Sequence, residues 1–189
     1  MDKQNRIYIY AFLSRVFDDV LDLDYMNELK SNDDLLELIG QDTKNWFTQN
    51  NIEEIYEMAN EDYTSIFLMN AKPIETSIID AKDEILVGLS NPVMQFYFNN
   101  GYELNLGATH LQTPDHISLE FAFMQNLVSR SELKAQKEFL EKHLLNWSVP
   151  YLMAVKQMAN TPFYSDLCDF VIEFLASDYS DILDTLAKE

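Results

Sequence analysis

Apolar residues recur along this chain every three or four positions, and that spacing constrains the fold more than any other feature of the sequence. It places the apolar side chains on one face of a helix, whereas a half-buried strand would alternate them. Glycine and proline are scarce, at 4 and 5 residues, which argues against a turn-rich β-sandwich or barrel. We therefore predict an all-α fold, a single globular domain of about ten helices over residues 1–189. The clearest apolar stripe consists of Phe163, Leu167, Phe170, Val171 and Phe174.

Helix starts are marked by capping residues that precede prolines. A side chain that accepts a hydrogen bond from a first-turn N–H, followed by a proline that has no N–H, is typical of a helix start. Together with the apolar spacing, these signals predict helices over 2–18, 51–68 and 114–129, and long connections over 69–80 and 100–113. The capped starts are Asn91-Pro92, Thr113-Pro114 and Thr161-Pro162.

The chain carries a formal net charge of −19. A surface of this sign repels nucleic acid and anionic lipid, and it attracts a basic partner. The acidic excess is greatest between Phe17 and Tyr63, where the only basic residues are Lys30 and Lys44. Because acidity also serves solubility alone, the charge leaves open whether such a partner exists.

The chain has one cysteine, Cys168, which excludes an internal disulfide and fits a reducing compartment. Its position in an apolar helical run predicts a packed thiol rather than a nucleophile. The N-terminal residues lack the apolar core of a signal peptide, and no apolar run reaches the roughly 20 residues that a membrane-spanning helix needs. We expect a soluble, cytoplasmic protein.

No motif for catalysis or cofactor binding is complete. His116 and Glu120 are four residues apart, but a helical di-metal site needs two Glu-x-x-His pairs, and no histidine here has a glutamate three residues before it. The sequence contains no glycine-rich phosphate loop and no serine nucleophile elbow. We predict no enzyme activity, no metal and no cofactor; an enzyme whose site assembles from distant residues is the remaining alternative.

One constellation, Thr113-Pro114-Asp115-His116, follows the second long connection directly. A proline in a first helical turn would place Asp115 where the helix dipole favours a negative charge, with His116 at the same helix mouth. One interpretation is an ordinary N-terminal cap. The other is a polar anchor beside a groove, where both side chains hold a basic or backbone-polar ligand.

Several stretches, in order and spacing, match the motifs of one family. The most specific is Pro114-Asp115-His116-Ile-Ser-Leu-Glu120-Phe-Ala-Phe-Met124, similar to the pattern Pro-Asp-His-(x)3-Glu-(x)2-Phe-Met. On these stretches the chain resembles the TorD/DmsD/NarJ family of redox-enzyme maturation chaperones over nearly its whole length, most weakly over 20–50. The other matching stretches are Tyr63-Thr-Ser-Ile66-Phe67, Pro73 with Glu75-Thr76-Ser77, an acidic helix that leads to Tyr97 and Gly101, Phe139-Leu-Glu-Lys-His143-Leu-Leu-Asn-Trp147, and Thr161-Pro-Phe163-Tyr164.

The sequence departs from the family pattern at a few motif positions. Tyr63 and Ile66 stand where family members often have Trp or Leu, and Thr76 and Ile78 stand in the Ser-Val segment. The substitutions at Tyr63 and Ile66 keep apolar character, but the preference for a client protein could differ.

The resemblance implies an all-helical cytoplasmic chaperone. Such proteins bind the twin-arginine leader, and often the body, of a molybdenum-cofactor reductase or dehydrogenase precursor until the cofactor is inserted and export can follow. A monomer or a homodimer is compatible with this role. The rival reading is an acidic helical adaptor or regulatory subunit without leader specificity. The leader-binding residues that the resemblance implies are Tyr63, Ile66, Phe67, Gly101, Pro114, Asp115 and His116.

Overall fold

A computed structural model describes residues 1–79, 86 and 88–188. The chain is 77% helical, as the apolar spacing predicts, and the described residues form no β-strand beyond one isolated antiparallel bridge between Ile74 and His116. The α-helices of the described residues are α1 (Lys3–Asp18), α2 (Leu23–Lys30), α3 (Asp33–Ile39), α4 (Gln41–Gln49), α5 (Ile52–Tyr63), α6 (Glu75–Ile79), α7 (Pro92–Asn99), α8 (Ile117–Ser129), α9 (Leu133–Phe139), α10 (Leu145–Lys156) and α11 (Pro162–Leu186).

Short helical turns of other types complete the secondary structure of the described residues. Two are π-helices, Thr64–Asn70 directly after α5 and Leu140–Leu144 directly after α9. Two are 3-10 turns, Gly88–Ser90 and Leu106–Ala108. The predicted helix over 51–68 is therefore an α-helix that continues as a π-helix.

Two of the three proline-marked helix starts are confirmed. Asn91 caps α7, and its side chain accepts from the N–H groups of Val93 and Met94. The helix α11 begins at Pro162, as predicted. The third start is wrong, because Pro114 lies in a turn and α8 begins at Ile117.

The predicted connections are only partly without helix. The connection over 69–80 contains α6, and the connection over 100–113 contains the 3-10 turn. The acidic helix expected before Tyr97 falls largely on residues 80–85 and 87, which lie outside the described residues. Among the described helices, none has both the length and the apolarity to span a bilayer.

The chain divides into two compact units, each built from separate segments. The first unit comprises Met1–Asp18, Pro73–Val149 and Ala176–Glu189, and the second comprises Asp19–Lys72 and Pro150–Leu175. The assignment of residues 1–189 to one domain stays a prediction, and each unit is described by itself below.

The core of the first unit forms where α1 packs against α8. Tyr10, Phe17 and Phe121 are buried there, and the Phe17 and Phe121 ring centroids are 5.8 Å apart. A buried ion pair between Arg6 and Asp178 ties α1 to the last segment of the chain. Because both charges are buried, removal of either partner would leave an uncompensated charge in the core.

The second unit is held together by carboxylates at helix starts. Asp62 is buried and accepts from the N–H of Thr161 at 2.9 Å and from its hydroxyl at 2.7 Å, at the start of α11. Asp166 accepts from the N–H of Thr43 at 2.8 Å, in the first turn of α4. Cys168 is buried as predicted, and burial raises the pKa of its thiol to about 12, which makes it a poor nucleophile.

Gly40, between α3 and α4, is required by close packing. A Cβ at this position would lie 2.7 Å from the Cβ of Asp166 and closer still to its carboxylate. We expect Gly40→Ala to lower the free energy of unfolding by about 1–3 kcal/mol through overpacking, measured by urea denaturation. Gly107→Ala is the control, because a Cβ there would meet only Asn105 at an ordinary 3.4 Å. Equal stability of the two variants would contradict the packing argument.

Candidate functional site

The segment that begins at Pro73 is fastened to the start of α8. The N–H of Ile117 donates to the Pro73 carbonyl at 2.9 Å, and the N–H of Glu75 donates to the Asp115 carbonyl at 3.0 Å. Both segments belong to the first unit. Two of the stretches that carried the resemblance, distant in sequence, therefore form one local structure.

Asp115 caps a helix other than the one predicted. It precedes α8, is fully buried, and accepts with Oδ2 from the N–H of Thr76 at 2.9 Å and from its hydroxyl at 2.6 Å. Thr76 lies in the first turn of α6, whose N–H groups have no partner within the helix. The expectation that Asp115 sits in the first turn of its own helix is therefore wrong. Its Oδ1 has no hydrogen-bond partner among the described residues.

His116 is the N-terminal cap of α8, and its ring Nδ1 accepts from the N–H of Ser118 at 3.3 Å. The same nitrogen lies 2.8 Å from the Ser118 hydroxyl, and that hydroxyl donates to Oδ1 of Asp18 at 3.2 Å. Burial, helped by the nearby His110, lowers the pKa of His116 from 6.5 to about 4. His116 is therefore a neutral hydrogen-bonding group at pH 7, without the charge that an ion pair would need.

A cleft of about 450 Å³ opens beside this network in the first unit. Its lining includes Arg15, Asp18, His110, Ser118 and Gln125. Asp18 and His110 are partly exposed there, and their Oδ1 and Nε2 atoms are 3.8 Å apart. The cleft thus offers a guanidinium, a carboxylate and an imidazole, which suits noncovalent recognition of polar groups.

A second polar cluster, of buried carboxylates, lies within the first unit. Glu75 lies with both carboxylate oxygens 3.0 Å from Nδ1 of His143. Glu120 accepts from the indole N–H of Trp147 at 3.3 Å. Burial, followed by the charge of Glu75, raises the pKa of Glu120 well above its ordinary value, which favours its protonated form.

Sequence reasoning quoted these cluster residues as motif positions but gave them no role. The signal that could have found the cluster is Glu120, the one charged residue of α8, which stands between the apolar Leu119 and Phe121. A charged residue in that setting is either paired or neutralised when the helix is buried. Among the described residues, no group of three or more His, Cys, Asp or Glu side chains is arranged to hold a metal ion.

Gly101 and Pro114 lie close to the same structure. Gly101 follows Asn100, the C-cap of α7, and adopts a left-handed conformation with φ at 68°, where any other residue would be strained. Its N–H donates to the Phe98 carbonyl at 3.1 Å. The Tyr97 hydroxyl donates to the Pro114 carbonyl at 3.1 Å and so joins the end of α7 to the turn before α8.

Tyr63, Ile66 and Phe67 belong to the second unit, and all three are buried. The ring centroids of Tyr63 and Phe67 are 5.0 Å apart, and Phe67 packs on Tyr164 at 5.5 Å. In this structure the three side chains are core residues and do not form an exposed groove wall. Their part in leader binding stays a prediction.

The chain matches the family described as nitrate reductase delta subunit over residues 33–152, which is more than half of its length. The match includes Pro73–Thr76 and the Pro-Asp-His turn. The chain belongs to this family. The resemblance to TorD and NarJ chaperones is thereby confirmed.

Two curated relatives of the chain are chaperones of the same family. The chaperone protein TorD of Aggregatibacter aphrophilus is 26% identical over 80 residues, which are 42% of this chain and 39% of that protein. The TorD of Shewanella oneidensis is 24% identical over 161 residues, which are 81% of this chain and 64% of that protein. The chain thus spans less than two thirds of either relative. Both relatives are named as chaperones, in agreement with the prediction of a non-enzyme. No solved structure matches the chain.

The geometry at Asp115 predicts a graded loss of stability on substitution. Asp115→Ala leaves the partly buried N–H and hydroxyl of Thr76 without an acceptor and should lower the free energy of unfolding by about 1–3 kcal/mol. Asp115→Asn keeps one acceptor oxygen and removes a buried charge, so its loss should be less than half as large. Urea denaturation measures both, and hydrogen exchange at the Thr76 amide reports the cap itself. Unchanged protection of that amide in Asp115→Ala would contradict the assignment.

His116 predicts a specific pH dependence of stability. Between pH 6.5 and about 4 the unfolded chain binds more protons at this residue than the folded chain does. Its contribution is therefore complete above pH 6.5 and is lost as the pH falls toward 4, by about 3 kcal/mol. His116→Asn keeps an acceptor for the Ser118 N–H but does not titrate. From pH 7 to pH 4 the free energy of unfolding of the wild-type chain should fall by about 3 kcal/mol more than that of this variant. The titration of Glu120 contributes equally to both proteins and does not affect this difference. Parallel pH profiles would refute the assignment.

Proposed function

We propose that this chain is a cytoplasmic chaperone that binds the twin-arginine leader, and the body, of a molybdenum-cofactor oxidoreductase precursor until the cofactor is inserted. The observation that carries the proposal is the family match over residues 33–152. The two TorD relatives support the same kind of partner. The net charge of −19 fits a partner segment that begins with basic residues.

The physical basis is an apolar surface close to negative charge. A twin-arginine leader combines basic residues with an apolar, helix-prone stretch, and a receptor must match both. Burial of apolar area contributes about 25 cal/mol per Å² before ordering costs. A charge-assisted pair with an arginine contributes about 1.5–3 kcal/mol where it is partly desolvated. Burial should therefore set the affinity, and charge should set orientation and association rate.

In this proposal the predicted leader-binding residues act indirectly, by positioning the surfaces that contact the leader. Asp115 and His116 are buried, so they act by holding the turn before α8 and the Ser118 side of the adjacent cleft. Gly101 and Pro114 act in the same way, through the end of α7. Tyr63, Ile66 and Phe67 act by fixing the helix that carries them, whose opposite face is exposed.

The proposal is tested by calorimetric titration of the purified chain with twin-arginine leader peptides from molybdoenzymes. We expect saturable binding that weakens as salt rises, because exposed charge pairs are screened. Replacement of both leader arginines by lysine should weaken binding about tenfold, since lysine lacks the planar donor fork. Asp115→Ala should also weaken it, through the displaced turn.

Leader peptides in which the arginine pair is scrambled serve as the control. An adaptor without leader specificity would bind the twin-arginine and scrambled peptides alike, or neither of them. Either result would end the proposal.

A further inference from the structure

The outer face of α5 and of the π-helix that follows it carries large apolar side chains in solvent. Met58 is 44% exposed, Leu68 is 48% exposed and Met69 is 74% exposed. They lie in the second unit, on the helix whose buried side holds Tyr63 and Phe67. We call the surface formed by Met58, Glu61, Ser65, Leu68 and Met69 the methionine face.

A preformed pocket lies at one end of the methionine face. It has a volume of about 340 Å³, and Met58, Glu61 and Ser65 line it together with Asn160 and Thr161. The pocket wall is rigid because Asp62, next to Glu61, uses both carboxylate oxygens to bind the backbone at the start of α11. Ordering of this wall therefore adds little cost when a ligand enters.

The two helices that carry the methionine face bear charged side chains of one sign, with the exposed Lys72 two residues beyond their end. The exposed charged side chains of α5 are all glutamates, and neither α5 nor the π-helix contains a lysine or arginine. Glu57 and Glu61 form no ion pair with any described residue. An exposed apolar strip that has Glu57 and Glu61 on the same helix complements a segment that is apolar and also carries arginine.

The length of the face fits a short helix. Met58 and Met69 are eleven residues apart, which corresponds to at most about 16 Å at the α-helical rise of 1.5 Å per residue, since the π-helical part rises less. The apolar core of an export leader has about 7–15 residues, and ten of them in a helix span about 15 Å. The occupant and the face are therefore of similar length.

We propose that the methionine face is the docking surface for the apolar, helix-forming part of the leader, with its arginines against Glu57 and Glu61. This inference rests on the proposed function. Methionine side chains are unbranched and polarizable, so they adapt to leaders of different sequence. Because the glutamates lie at the N-terminal end of the face, the leader helix runs parallel to α5, with its basic start at Glu57.

The inference is tested with the double variant Met58→Glu/Met69→Glu and the single variant Glu61→Gln. All three positions are exposed, and circular dichroism and thermal melting check that the fold is kept. We expect the double variant to bind the leader peptide at least tenfold more weakly. Glu61→Gln should bind about threefold more weakly, with a shallower salt dependence. Leu183→Glu is the matched control, because Leu183 is an exposed apolar residue of the first unit, at 37%, and should bind within about twofold of the wild type.

Oxidation of the wild-type chain gives a second measurement that needs no variant. Hydrogen peroxide converts exposed methionines to sulfoxides, and a bound leader should slow this reaction at Met58 and Met69. Mass spectrometry of peptides follows each site, with Met1 as the exposed control outside the face.

The outcomes separate the inference from the proposed function. A wild-type chain that binds no leader overturns both proposals. A wild-type chain that binds, together with a folded double variant of equal affinity and unprotected methionines, overturns the methionine face alone. A wild-type dimer that becomes a monomer in the double variant, with leader affinity unchanged, assigns the face to a second copy of this chain and also overturns the inference.

Discussion

Two backbone hydrogen bonds and one carboxylate fasten the segment after Pro73 to the turn before α8, and the local structure of the first unit depends on them. The carboxylate of Asp115 caps the N-terminus of α6, and the next residue, His116, caps the N-terminus of α8. One short turn therefore caps two helices that sequence alone would treat separately. The cap of α8 also fixes the position of Ser118, which lines the adjacent cleft. A substitution in the turn would therefore alter the lining of an exposed cleft.

The first unit buries three carboxylates besides that of Asp178, which is paired with Arg6. Glu75, Asp115 and Glu120 are all buried, and the structure offers them His143 and several hydrogen-bond donors but few full charges. An ionised carboxylate that is buried without a partner lowers the stability of the fold, and each of the three carboxylates avoids this in a different way. Asp115 accepts two hydrogen bonds from Thr76, and Glu75 contacts the imidazole of His143. Burial and neighbouring charge favour the protonated form of Glu120. The state of Glu120 depends on the other two, because the charges of Glu75 and Asp115 both help to raise its pKa.

Helical periodicity and proline caps predicted much of the fold, and the places where they failed have physical reasons. The first helix and the start of α11 follow their local signals, because nothing distant competes with them. At Pro114 the local signal does not predict the helix start, because backbone hydrogen bonds to the Pro73 segment hold the chain in a turn until His116. The motif named candidate residues such as Asp115 and Phe67, but it could not show that they are buried. Burial depends on what packs against a residue, and a single sequence does not contain that information.

The π-helix after α5 explains how one short stretch serves both core and surface. An apolar run of four residues, from Ile66 to Met69, would be difficult to place on a regular amphipathic helix. The wider π turn is closed by the Ala71 N–H, which donates to the Ile66 carbonyl at 2.7 Å. In that turn Ile66 and Phe67 face the core, while Leu68 and Met69 face solvent. Because π-helical turns are frequent at functional sites, an exposed apolar pair on such a turn fits the proposed binding surface.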